Sequence, residues 1–350
     1  MNILLFAGGA GTRLWPLSRK NSPKQFEKIL GDKSTLQLAV ERVAEFGYEN
    51  MFIATNEKYA DIVAMQVPEI LKEYVMLEPE KRDVSAAVGL ALVRLKKKGM
   101  SGPLAILWSD HLMSKPENFV SALKKAEERV KQQPNQLVFL AEQPRFANQN
   151  LGWMQIGKQQ ADGNFDFLGW KYKPEKSVCD EMFAGGEWSW NPGYFIFDID
   201  YMLELYSKHK PDMLNELEQM VEDESLLEKN YSTIESTSFD QAIIENIDPN
   251  QAVVMKVYLG WSDPGTLYAL KEAFVSDTEK NHEQGDVVSV RTKDSLLYNE
   301  EDSKTVCTLG LEGMVVVNTK DAVFVCHKDE VANMKERLTK LEKKGKSELI

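Results

Sequence analysis

The sequence predicts an α/β fold, a mostly parallel sheet with helices on both faces, plus a small β-rich C-terminal domain. Three observations carry this. Short apolar runs alternate with segments of helical period through the first 145 residues. Those runs end in residues foreign to a core. After residue 286, five strand-like pieces succeed one another about ten residues apart.

The first strands read NILLFA (2–7), NMFIAT (50–55), YVMLEP (74–79), PLAILW (103–108) and QLVFLA (136–141). Helical periods lie between them. STLQLAVERVAEF (34–46) begins at Ser34, a suitable N-cap. Val84, Val88, Ala91, Leu92 and Leu95 share one helical face, and ENFVSALKKAEERV (117–130) forms another helix. Strands alternating with helices imply right-handed crossovers and parallel pairing. The strand ends Gly8-Gly9, Thr55-Asn56, Glu78-Pro79, Ser109-Asp110 and Glu142-Gln143-Pro144 then mark the ligand edge of the sheet. From about 150 to 275, LGWMQIG, FLGWKY and GYFIFD read as strands, and MLELYSKHK, MLNELEQMVE and SFDQAIIENI as helices. SDTEKNHEQGD (276–286) reads as a polar linker. VVSVRT, SLLYNE, TVCTLG, MVVVNT and AVFVCH build the tail, and a charged helix at 329–343 closes it. The expected domains are 1–280 and 281–350.

Composition narrows the function. Of 350 residues, 43% are hydrophobic and 27% charged, which is globular and not disordered. Acids outnumber bases 54 to 42, so a nucleic-acid or anionic-membrane partner is disfavoured. Cys179, Cys307 and Cys326 form no CxxC pair, which argues against a disulfide framework and fits a cytoplasmic protein. The N-terminal apolar run is too short for a signal peptide, and no run approaches the roughly 18 residues that cross a bilayer.

The strongest motif is Gly8-Gly9-Ala10-Gly11-Thr12-Arg13-Leu14, directly after the first strand. Glycines let backbone N–H groups approach phosphate oxygens. Leu14 excludes the GxGxxG dinucleotide fingerprint, and no GK[ST] follows to make a P-loop. Pro16 and Pro23 prevent one long helix from starting at the loop. Arg13 and Lys24 supply the charge that a triphosphate needs. The competing reading is a tight turn with surface charges.

The string GGAGTRLWPLS…SPKQF resembles the signature of sugar-1-phosphate nucleotidyltransferases, and LWPLSR…PKQF is similar to that of bacterial mannose-1-phosphate guanylyltransferases. The resemblance covers most of the chain. It implies a nucleotidyltransferase (Rossmann-like) sheet and a β-helix-like tail. It also implies GTP and a sugar 1-phosphate as substrates, Mg²⁺ as cofactor, and a homodimer. Ala7, Gly8, Gly9, Gly11, Thr12, Arg13, Lys24, Glu78, Arg82 and Ser109 would bind nucleotide. Asp110, in Trp108-Ser109-Asp110-His111, and Asp263, in Trp261-Ser262-Asp263-Pro264, resemble the family's metal aspartates. Taken alone, each aspartate also reads as a loop cap.

Glu78-Pro79-Glu80-Lys81-Arg82-Asp83 resembles EPxxRN near the base, with Asp83 where Asn is usual. Trp170-Lys171-Tyr172-Lys173-Pro174 is similar to FVEKP, with Tyr172 in place of a glutamate. This implies that Lys173 holds the sugar phosphate. Gly152 belongs to a stretch similar to GYGYI, from which Met154 departs, and the resemblance implies Gly152 and Tyr172 as sugar ligands beside Lys173. Asn191 sits in a WNSG-like motif and is implied as a sugar ligand. Asp240, in an SIDYA-like motif, shapes the sugar pocket or caps its own helix; spacing favours the cap. Arg13, Lys24, Asp110 and Lys173 are the expected catalytic groups. All seven tryptophans lie within three residues of a candidate, as flat walls of a sugar or base site or as ordinary core. The family has longer members with a fused isomerase domain, and this chain ends before one would fit, so a single activity is expected. The alternatives are another sugar 1-phosphate or nucleotide, or a non-catalytic sensor of a nucleotide sugar.

Overall fold

The computed structural model describes every residue except Ala10, Gly11 and Leu30, and excludes the side chains of Thr12, Ala332 and Lys335. Gly11 and the Thr12 side chain, both expected at the phosphates, lie outside the described residues. In chain order the elements are β1 (Asn2–Phe6), α1 (Thr35–Arg42), β2 (Met51–Asn56), α2 (Ala60–Gln66), β3 (Val75–Glu78), α3 (Asp83–Lys97), β4 (Pro103–Trp108), β5 (Leu112–Met113), α4 (Pro116–Gln132), β6 (Leu137–Glu142), β7 (Gly152–Gln159), β8 (Phe165–Tyr172), α5 (Lys176–Gly185), β9 (Trp188–Asp198), α6 (Ile199–His209), α7 (Pro211–Glu222), α8 (Glu224–Asn230) and α9 (Phe239–Ala242). There follow β10 (Ala252–Val257), β11 (Trp261–Ser262), α10 (Leu267–Phe274), β12 (His282–Gln284), β13 (Val287–Val290), β14 (Leu296–Asn299), β15 (Val306–Leu309), β16 (Met314–Asn318), β17 (Val323–His327) and α11 (Met334–Lys343).

Local chemistry explains the element ends. Ser34 caps α1 reciprocally: its hydroxyl accepts the Gln37 N–H at 3.2 Å, and the Gln37 side chain accepts the Ser34 N–H at 3.0 Å. Pro116 opens α4, where a missing N–H costs nothing. Phe119, Ala122, Leu123, Ala126 and Val130 form the buried stripe of α4 at helical spacing.

The chain divides into two compact units. The first comprises Met1–Gly8, Ala39–Ser109 and Met113–Gly260. Its nine strands run in the order β3-β2-β1-β4-β9-β6-β10-β8-β7. β3, β2, β1 and β4 are mutually parallel, and β6 is parallel to β10. β9 runs antiparallel between β4 and β6, and β7 and β8 are also antiparallel. The path goes outward from β1 to β2 and β3, then returns to β4 on the other side of β1. In open sheets such a reversal marks the ligand edge, here the carboxyl ends of β1 and β4. β1 is buried along its whole length, as a strand covered on both faces must be. SFDQAIIENI forms only the short helix α9 and a 3₁₀ turn at Ile244–Asn246.

The second unit comprises Gly9–Leu38, Asp110–Leu112 and Trp261–Ile350. Its tail is a parallel coil: β14 pairs with β16, and β13 with β15, each residue meeting its equivalent 19 positions later. The ten-residue strand spacing is thus half a coil. Asn318 Nδ2 donates to Asn299 Oδ1 at 2.7 Å, which satisfies a buried amide from one coil to the next. β17 closes the coil antiparallel to β16. The expected linker contains β12, parallel to β14, so it is coil and not spacer. Asp294 ties α10 to the coil through Lys271 Nζ at 2.7 Å and Lys328 Nζ at 2.6 Å. The segment after the glycine loop is bound into this unit. Trp15 is buried, its indole N–H donates to the Leu349 carbonyl at 2.6 Å, and its ring meets Phe324 edge-on at 5.8 Å. Among the described residues, no helix is long and apolar enough to cross a membrane.

Candidate active site

The second unit gathers Lys24, Asp110 and Asp263. Pro23, with φ −62°, leads into a 3₁₀ turn at Lys24–Phe26. Gln25 and Phe26 are buried and fix that turn, which aims the Lys24 side chain. Asp110 follows β4, and Asp263 follows β11. Lys24 Nζ lies 2.8 Å from Asp110 Oδ2 and 3.1 Å from Asp263 Oδ1. Leu14, Ile29, Leu112 and Leu270 line a small void that also borders Lys24 and Asp110. Such apolar neighbours lower the local dielectric and strengthen the ion cluster. The His111 ring meets Trp261 edge-on at 5.2 Å, with Nε2 4.0 Å from Asp110 Oδ1.

Burial opposes charge on both Asp110 and Lys24. The Lys24 ammonium, followed by His111, outweighs that cost and holds the Asp110 carboxyl at about 2. The charges of Asp110 and Asp263 likewise raise Lys24 above the usual lysine value. Arg13 differs. It is exposed and has no carboxylate partner among the described residues. It reaches the turn after Asp263, where a Cβ on Gly265 would stand 3.3 Å from Arg13 Nη1.

The donor set suits a hard divalent ion. Two carboxylates converge on the Lys24 ammonium. No group of three or more His, Cys, Asp or Glu converges among the described residues. Mg²⁺ commonly takes one or two carboxylates and fills its shell with water and substrate phosphate oxygens.

The first unit carries the other predicted residues. Ala7, Gly8 and Ser109 stand at the ends of β1 and β4. The Ala7 N–H donates to Ala54 O at 2.8 Å, and Thr55 Oγ1 donates to Ala7 O at 2.7 Å. The Ser109 hydroxyl donates to Phe6 O at 2.9 Å and its N–H to the same carbonyl at 3.1 Å, so this serine knits β4 to β1. Gly9, φ +126°, opens the second unit's loop with a conformation that disfavours a side chain. Tyr231 OH donates to Glu78 Oε2 at 3.1 Å. Burial raises the Glu78 carboxyl, against the pull of Tyr231 and then Lys81. Arg82 precedes α3, its Nε buried without a hydrogen-bond partner among the described residues.

Strand register assembles three predicted sugar residues. Gly152 on β7 pairs with Tyr172 on β8 and with Asn191 on β9. A Cβ at Gly152 would meet the Trp170 ring at 3.2 Å and Asn191 Cβ at 3.6 Å. Lys173 follows, with its ammonium 4.9 Å from the Tyr172 ring centroid. Asn191 Oδ1 accepts the Gly193 N–H at 2.8 Å, which shapes the turn and leaves the two amide protons as donors. Gly193 has φ +78°, and a Cβ there would stand 2.7 Å from Trp108 Nε1. Gly193→Ala is expected to cost at least about 1–2 kcal/mol from the left-handed backbone alone. Urea melts check this, and an unchanged midpoint would refute it.

Comparison with known proteins gives this geometry a lineage. Residues 2–280 match the family model described as nucleotidyl transferase. The chain belongs to the nucleotidyl transferase family. Residues 285–341 of this transferase match the mannose-phosphate isomerase/GMP-like β-helix domain, in keeping with the parallel coil. It is 31% identical over 361 residues to a mannose-1-phosphate guanylyltransferase of Escherichia coli, covering 99% of this chain and 74% of the relative. It is 30% identical to the alginate biosynthesis protein AlgA of Pseudomonas aeruginosa, covering 99% and 73%. A crystal structure described as mannose-1-phosphate geranyltransferase from Thermus thermophilus superposes with a TM-score of 0.89 at 28% identity, over 97% of this chain and 99% of that one.

Two features of the transferase escaped sequence reasoning. Tyr231, the partner of Glu78, lies in no motif, and no local signal marks it. The cap of α9 is Ser238, whose hydroxyl accepts the Gln241 N–H at 3.1 Å. The cap expected of Asp240 is therefore corrected. Asp240 lies inside α9, where burial pushes its carboxyl up to about 6, with Glu245 and Asp83 adding to the shift. A folded value above the unfolded one means that ionisation works against folding. The cost is absent below about pH 4, reaches roughly half at about pH 5 and is complete above about pH 6. Asp240→Asn should gain up to about 2–3 kcal/mol at about pH 7.5, and about half that at about pH 5. Equal gains at the two pH values in urea melts would refute this.

Proposed function

We propose that this transferase joins GTP to α-D-mannose 1-phosphate and forms GDP-mannose and diphosphate. The observation that carries the reading is the convergence of Asp110 and Asp263, distant in sequence, on one cation in the same unit as Arg13.

An oxygen of the sugar phosphate attacks the α-phosphorus of GTP in line. The new P–O bond forms as the bond to the β-phosphate oxygen breaks, and its electron pair leaves with diphosphate. The nucleophile is already anionic near neutral pH, so no general base is needed. Catalysis is then positioning and charge neutralisation. Arg13 and Lys24 balance the charge that develops on the departing phosphates. Lys173 holds the incoming phosphate, and the Asn191 amide donates to sugar hydroxyls. Gly8 and Gly9 let the backbone approach the triphosphate, and Glu78 and Arg82 face the nucleoside. Mg²⁺ would be held by Asp110 and Asp263, and when bound it supplies further neutralisation of phosphate charge.

Diphosphate release with GTP, Mg²⁺ and mannose 1-phosphate tests this directly. A grid of four nucleoside triphosphates against several sugar 1-phosphates tests the pairing, with Tyr172 and Met154 the reasons to include other sugars. Faster turnover with a different pair would replace the assignment. Ligand binding without turnover on any pair would favour a sensor.

We read the protein as a cytosolic homodimer. Three free thiols accord with a reducing compartment. Val288, Val290 and Leu309 are exposed on paired strands β13 and β15, an apolar face that a second copy would cover. Light scattering that reports only monomer would contradict the dimer.

A further inference from the structure

We propose that Lys24 is the resident cation of the Asp110–Asp263 pair, and that a divalent ion enters only by displacing its ammonium. The free protein then binds metal weakly, and phosphate groups that draw Lys24 away promote metal binding. The proposal rests on the metal role assigned to the two aspartates above.

Three observations carry it. First, Nζ contacts Asp110 Oδ2 and Asp263 Oδ1 at once, at 2.8 and 3.1 Å. These oxygens face the point that a shared ion would occupy. Second, two carboxylates and one ammonium leave a net charge of −1. A dication added with the ammonium still in place would suffer close like-charge repulsion in a partly buried site, where 11% of the Lys24 side chain, 26% of Asp110 and 32% of Asp263 are exposed. Third, the backbone at Lys24 is anchored by buried Gln25 and Phe26, so the movement falls to the lysine's flexible four-carbon stem. In the absence of metal the ammonium prevents two neighbouring carboxylates from repelling each other. With metal and nucleotide present, the same group is released to the phosphates. Because binding linkage is reciprocal, phosphate and metal should each raise the affinity for the other through Lys24.

The test measures Mn²⁺ binding by electron paramagnetic resonance, with nucleotide absent, on wild type and Lys24→Met. The variant should bind Mn²⁺ about tenfold more tightly or better. Equal or weaker binding by a folded variant, checked by circular dichroism, would overturn the proposal. Should the variant not fold, wild type decides through acetylation footprinting of lysines. Mn²⁺ alone should speed Lys24 labelling, and an unchanged or slower rate would overturn the proposal. Neither readout needs turnover. If both shifts appear while GTP and mannose 1-phosphate give no diphosphate, the substrate assignment fails and this inference stands.

Discussion

Asp110→Asn is expected to slow diphosphate release by about 10²–10³-fold, the loss typical of one preorganised charge contact to a transition state. The substitution keeps the shape and removes the charge. Lys24 then retains only Asp263, and on the proposed reading a divalent ion loses one of two anionic donors. The fold should survive at a cost that depends on pH. The Asp110 carboxyl is held near 2, below its unfolded value, because Lys24 outweighs burial. Its stabilisation is therefore present above about pH 4 and disappears as pH falls toward about 2. Wild type should exceed the variant by about 2 kcal/mol at neutral pH, with no difference in strong acid. Turnover within a factor of about three of wild type would remove Asp110 from the chemistry.

Arg13→Ala is the second large effect, and it should separate activity from stability. The side chain is exposed and has no carboxylate partner among the described residues, so its removal should change folding by less than about 0.5 kcal/mol. Turnover should nevertheless fall by about 10²-fold, because in the proposed mechanism the group acts on charge that develops in the transition state. The loss should appear in kcat more than in KM. Arg13→Lys should recover part of it, since the charge returns without the planar fork. A pure rise in KM would reassign Arg13 to ground-state binding.

Much of the fold was legible because local periodicity reports local burial. β1 to β4 and β6 fall within a residue or two of their apolar runs, and α3 and α4 follow their apolar faces. The five tail strands were equally plain, spaced about ten residues apart with Gly, Asp and Asn between them. Direction was not legible. β9 reads like any buried strand, yet it inserts antiparallel between β4 and β6, since a run of apolar residues is buried equally well in either sense. Segment 276–286 read as a spacer because its strand is short and polar. Its pairing with β14 depends on a coil that closes over many residues.

The candidate site divides in the same way. Motifs alone named Arg13, Lys24, Asp110 and Asp263, and placed the glycine loop after a strand. Only the tertiary structure showed that Lys24 holds both aspartates, that Ser109 spends its hydroxyl on Phe6, and that Ser238, not Asp240, caps α9. The sequence alone determined which residue types are available and which faces must be buried, because side-chain period and backbone preference act within a few residues. Which charges meet was settled by folding. Coulomb attraction and hydrogen bonding act over a few ångströms of space, and that separation is set by how distant segments pack.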